Sequence, residues 1–141
     1  MFLPKRLIWV LMPLLIMFLA GCSKEVRKQD TVMRGGLLYE MGDDDPFTGI
    51  VVGKGREPRH TQRMSYKKTY KNGVQEGETI FYYPNGKVES MVPYTNGEVN
   101  GSLMTYWPNG KPKSRIHFIH GMRGGARGEM FWDRKGKRIR G

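Results

Sequence analysis

The residues with chemistry to offer are few. The 141-residue chain holds one cysteine, Cys22, three histidines, and one run of three acids at Asp43, Asp44 and Asp45. His117 and His120 lie three apart in an expected strand, so their side chains point to opposite faces and cannot pair on a metal unless the strand bends. His60 stands alone among arginines. The acid run leads into Pro46; its spacing does not fit a calcium loop, and Asp–Pro clusters are ordinary turn chemistry. Ser65, Ser90, Ser102 and Ser114 fall in expected strands without a base and a carboxylate in the pattern, and no phosphate loop or zinc spacing occurs. The expectation is a protein that is not an enzyme, with no catalytic residues, no metal site and no cofactor.

Cys22 has a different reading. Lys5 and Arg6 precede a thirteen-residue apolar run, Leu7 to Leu19, that is short for a membrane span and suits the h-region of an export signal. The run ends in Leu19-Ala20-Gly21-Cys22, which resembles the bacterial lipobox. The resemblance implies a lipoprotein signal peptide over residues 1–21 and lipidation of Cys22. Several acyl chains on one residue give stable membrane anchoring, at about 0.8 kcal/mol per buried CH₂. Ser23 follows the cysteine, which resembles the pattern of Gram-negative lipoproteins sent to the periplasmic face of the outer membrane. Residues 22–36 are polar, aperiodic and closed by Gly35-Gly36, so a flexible tether is expected there.

Lys and Arg number 24 against 13 Asp and Glu, a formal net charge of +11. Such an excess favours an anionic partner: an acidic protein, an anionic lipid or an envelope polymer. Nucleic acid has the right charge, but an exported domain would not meet it.

Positioning falls to a repeat. Tyr70-Lys71-Asn72-Gly73, Gly77, Tyr82 and Pro84-Asn85-Gly86-Lys87 recur as Tyr94-Thr95-Asn96-Gly97, Gly101, Tyr106 and Pro108-Asn109-Gly110-Lys111, each 24 residues on. A fixed period of this size marks a repeat architecture. Asn-Gly between alternating runs is a hairpin signal, because both residues accept positive φ. One unit is therefore one hairpin, with Pro84 and Pro108 where a strand gives way to a turn. A third unit keeps Gly121 and Gly125 in step, but Trp132 and Gly136 arrive two residues late, as in a terminal cap. The fold class expected is all-β: an elongated antiparallel sheet of successive hairpins over residues 37–141, entered by short strands at Leu37–Glu40 and Phe47–Val52. Basic clusters coincide with departures from the period, at Gly53–Arg63 (Arg56, Arg59 and Arg63) and near the C-terminus (Arg123 and Arg127).

Alternation assigns faces. Met64, Tyr66 and Tyr70 share one; so do Val88, Ser90, Val92 and Tyr94, and Ser114, Ile116 and Phe118. Ile80 with Tyr82, and Met104 with Tyr106, are expected to complete this aromatic and aliphatic ladder. The other face carries Glu89, Met91, Lys113, Arg115 and His117, joined by Tyr83 and Trp107 as exposed aromatics.

The unit Gly-x4-Tyr-aromatic-Pro-Asn-Gly-Lys-x6-aromatic-x2-Gly-x3-Gly resembles the MORN repeat variant and, more narrowly, the YwqK family of antitoxins, whose entry motif is similar to Pro46-Phe47-Thr48-Gly49. The resemblance spans residues 37–141 and implies a binding sheet, with a toxin as a protein partner. The candidate contact residues are Tyr83, Trp107, Lys113, Arg115, Arg56, Arg59, Arg63, Arg123 and Arg127. A structural or membrane-associated envelope module, held to anionic lipid or polymer by its basic clusters, is the rival expectation.

Overall fold

The computed structural model describes residues 23–55, 64–125 and 128–139, so the signal-like segment, Cys22, Arg56, Arg59, Arg63 and Arg127 lie outside the described residues. The strands are β1 (Glu25–Arg27), β2 (Thr31–Arg34), β3 (Leu37–Glu40), β4 (Gly49–Gly55), β5 (Met64–Lys71), β6 (Val74–Tyr82) and β7 (Val88–Thr95). They continue as β8 (Glu98–Val99), β9 (Gly101–Tyr106), β10 (Pro112–Ile119), β11 (Met122–Arg123), β12 (Met130–Trp132) and β13 (Arg138–Ile139). Eleven form one sheet in the order β1-β4-β5-β6-β7-β9-β10-β12-β13, with β8 on β7 and β11 on β10; β2 and β3 form a separate hairpin. The expected all-β sheet of successive antiparallel hairpins is what the chain builds.

The two ends of the sheet turn differently, although both are written with Asn-Gly. At one end Asn72-Gly73, Asn96-Gly97 and His120-Gly121 all have both residues at positive φ. This is the two-residue type I′ turn, whose twist matches that of the strands it joins. At the other end only Gly86, Gly110 and Gly136 have positive φ, while Asn85 and Asn109 do not. There Gly86 N–H donates to the Tyr83 carbonyl (2.9 Å) and Lys87 N–H to Asn85 Oδ1 (3.0 Å). The asparagine thus acts through its side chain at this end and through its backbone at the other.

Register shifts interrupt the ladders between Lys68 and Tyr70, between Phe81 and Tyr82, and between Pro112 and Ser114. Gly77 lies in the first of these bulges at φ 87°. Bulges bend a strand and raise its twist, and the extra residues of the last two, Glu89 and Lys113, lie one repeat apart.

Two clusters make the core. Val26, Leu38, Phe47 and Val51 pack with Tyr70; Met64, Tyr66, Phe81 and Val92 pack with Tyr83, Tyr94, Val99 and Leu103. The tether expected over residues 22–36 is corrected here. Residues 25–34 are folded: β1 pairs in parallel with β4, Val26 is buried, and Gly35-Gly36 is the turn between β2 and β3. The domain therefore begins ahead of Leu37. Local polarity concealed this, because β1 owes its place to a distant strand: Ile50 N–H donates to the Lys24 carbonyl at 2.8 Å.

Gly73 and Gly86 separate the cost of backbone strain from that of a clash. A Cβ on Gly86 would meet nothing within 4 Å, whereas on Gly73 it would lie 2.8 Å from Leu37 Cβ and 3.1 Å from Leu38 N. Gly86→Ala should cost about 1 kcal/mol from its left-handed backbone, and Gly73→Ala about 2 kcal/mol more from overpacking. Urea denaturation of both variants checks this; equal losses would contradict it.

Candidate functional site

The aromatic-Pro-Asn-Gly-Lys turns hold one another. Tyr83 Oη donates to the Tyr106 carbonyl at 2.7 Å, and Trp107 Nε1 donates to the Trp132 carbonyl at 3.0 Å. Asn85 Nδ2 reaches the Pro108 carbonyl (3.0 Å) and Asn109 Nδ2 the Arg134 carbonyl (2.8 Å). Lys87 Nζ reaches the Asn109 carbonyl (2.9 Å) and Lys111 Nζ the Lys135 carbonyl (2.7 Å). Each turn donates three side-chain hydrogen bonds to the backbone of the next. At the third turn Asp133 replaces the aromatic residue and accepts from Lys135 and Lys137 N–H at 2.9 Å each. A carboxylate cannot donate onward, so the series of bonds closes there.

Tyr83 and Trp107, expected as exposed contact residues, are half-buried and spend their side-chain donors within the sheet. Tyr83 packs on the core cluster, and burial, followed by the nearby Glu89 charge, holds its phenol above the usual tyrosine range. The hydroxyl therefore stays a donor. The structure does bring Trp107 and Lys113 together: Lys113 Nζ lies 4.8 Å from the indole centroid, and the Arg134 guanidinium carbon lies 5.2 Å from it. Arg115 belongs to the other face of the sheet. Arg123 is engaged separately, with Nε and Nη2 each 2.5 Å from the Glu129 carboxylate. The hydrogen bonds from Arg123 hold the Glu129 carboxyl below its usual range. His120 stands in its turn with Nδ1 3.6 Å from Glu98, and among the described residues no group of three His, Cys, Asp or Glu could hold a metal ion.

The faces differ from expectation for a geometric reason. In the antiparallel pairs from β4 to β12, regular register sets an even-numbered residue against an odd-numbered one: Tyr66 faces Phe81, Phe81 faces Ser90, Ser90 faces Thr105, and Thr105 faces Ser114. That is the covered side. Ile80, Tyr82, Met104 and Tyr106 therefore leave the ladder assigned to them and join Met91 and Arg115 on the open side. Since Tyr82 and Tyr83 are neighbours of one type, composition could not say which turned inward; the odd offset of a two-residue type I′ turn is the signal that could have done so.

One cross-strand row runs along the open face: Arg27, Val52, Lys67, Ile80, Met91, Met104, Arg115 and Met130, each the register partner of the next. All but Arg27 are half-buried. Tyr106 lies beside the row and donates to Met91 Sδ at 3.7 Å. At its β1 end the segment from Arg27 to Thr31 stands beside Val52, Lys67 and Tyr82, enclosing a shallow cavity of about 740 Å³. Large apolar side chains left half-covered between cations suit contact with another molecule.

Residues 75–96 and 100–120 each match the MORN repeat variant. Each match begins just after one type I′ turn and stops at or beside the next, enclosing β6 with β7 or β9 with β10. The regular centre of the chain is thus similar to the MORN repeat variant over these two units. No curated protein and no solved structure matches it.

Two variants test this geometry. Tyr83→Phe should lose about 1 kcal/mol of stability, one part-buried hydrogen bond, with unchanged far-ultraviolet dichroism; no loss would remove the bond from the account. For the Arg123–Glu129 pair the depressed carboxyl fixes the sign. Its contribution is complete above the unfolded carboxyl value of about 4.3 and is lost as pH falls through the lower folded value. Glu129→Gln should lower Tm at pH 7, and the gap should close towards pH 3. A gap independent of pH would contradict the ion pair.

Proposed function

We propose that the protein is a lipid-anchored cell-envelope protein without catalytic activity, whose repeat sheet binds another macromolecule. The observation that carries this reading is how the side chains are spent. The polar groups of the repeating turns are used to join one repeat to the next, whereas the half-covered apolar and cationic side chains lie along an extended face. Such a surface offers broad contact rather than an enclosed reaction site. An antitoxin or immunity role, which the resemblance to the YwqK family implies, would use this contact to occlude a toxin, with basic residues speeding encounter with an acidic partner. Affinity purification of the full chain from membranes tests it. A protein partner held at low salt and released at high salt is expected. Absence of any partner, with no protection against a neighbouring toxin, would sink the reading. Cys22→Ala should move the protein from the membrane to the soluble fraction; unchanged fractionation would remove the lipid anchor.

The second reading is an envelope module that lies on anionic lipid or polymer. It is favoured by the row of turns bearing Lys87, Lys111 and Lys135, with Trp107 beside Lys113 and Arg134. Flotation of the Cys22→Ala chain with anionic but not neutral vesicles is its expected result, and no flotation at low salt rejects it.

A further inference from the structure

We infer that the open face takes an amphipathic helix of a partner protein, with acidic residues flanking the helix's apolar side at both ends. The inference rests on the binding reading above and gives it a place and a chemistry. The cross-strand row sets the terms. Ile80, Met91 and Met104 form its apolar middle, with Lys67 closing one end and Arg115 the other. From Lys67 to Arg115 is four strand spacings, roughly 19 Å. A helix covers that distance in about 13 residues, so two acids about three and a half turns apart would meet the two cations while the apolar side between them covers the row.

Three observations select this occupant. A sheet face carrying large apolar side chains is ordinarily closed by a second layer, and a helix is the common one. Methionines supply an adaptable surface that refills around a ligand's side chains, and two of them adjoin at the centre. The charge is also unbalanced at the β1 end. Lys67 keeps 45% of its side chain exposed beside Glu25 (3.1 Å) and Arg27 lies 3.0 Å from Asp30, while Lys28 and Lys54 add two further cations. Both line the same cavity. The segment from Arg27 to Thr31 lines that cavity at the end of the row.

The test uses the full chain and two fluorescein-labelled 15-residue helical peptides. Both carry leucine along one side; one ends in glutamates, the other in lysines at the same places. Anisotropy should show the acidic peptide binding at least tenfold tighter than its basic twin, with affinity falling as salt rises. Lys67→Gln with Arg115→Gln, which leaves the apolar row intact, should weaken the acidic peptide several-fold and flatten its salt dependence. Met91→Glu with Met104→Glu should abolish binding, with circular dichroism reporting retention of the sheet. Lys137→Gln, an exposed cation in the last turn, should bind like the parent chain. Equal binding of the two peptides, no binding of the acidic one, or indifference to the Lys67 and Arg115 changes would each overturn the proposal. If a partner purified from membranes binds the Met91→Glu/Met104→Glu chain undiminished, the face is wrong while the binding reading stands. If no partner is found at all, the binding reading itself fails.

Discussion

The structure depends on the hydrogen bonds that pass from each aromatic-Pro-Asn-Gly-Lys turn to the backbone of the next. A sheet one layer thick has no second layer to press its hairpins together, and an isolated hairpin is at best marginal in water. Here three side-chain donors of one turn engage three carbonyls of its neighbour, twice in succession. The ordinary strand ladder joins the hairpins along their length, and this second set fixes their ends. At the opposite end the same task falls to the backbone. Gly97 N–H reaches the Gln75 carbonyl at 2.9 Å, and Gly121 N–H reaches the Val99 carbonyl at 2.8 Å.

This accounts for where the side chains of the most conspicuous residues of the repeat are spent: within the sheet. Asn85, Lys87 and Tyr83 look like a ready-made polar site in a list of letters. Each directs a side-chain donor to the neighbouring turn, whereas the open face is made of strand positions that the motif leaves variable. Ile80, Met91, Met104 and Arg115 follow no simple rule from one unit to the next. A repeat protein can thus keep one frame and alter what its face presents.

Much of the fold was legible in the sequence, and the limits have physical causes. Period, hairpin topology and turn positions followed from Asn-Gly and Gly spacing, because those residues answer to local backbone torsion. The irregular last unit was legible too, and Asp133 explains its closing role. Which face was covered was not legible: Tyr82 next to Tyr83, and Tyr106 next to Trp107, are apolar in both phases of the alternation, and only the register decides between them. β1 was missed for another reason. Glu25-Val26-Arg27 has a single apolar residue, and its strand state comes from β4, some twenty-five residues on. Of the candidate site, the placing of Trp107 and Lys113 on one face was legible from alternation, and the structure sets the Lys113 ammonium 4.8 Å from the indole centroid.

The order of β1 alters what a lipid on Cys22 would do. Two residues, Ser23 and Lys24, separate Cys22 from Glu25, at most about 11 Å of extended chain. An acyl group there would act less as a leash than as a mooring close to the hull. The domain would ride with one edge against the bilayer and sample few orientations. Its encounters would then be with molecules moving in or beside the same membrane, in two dimensions, rather than with those diffusing at a distance.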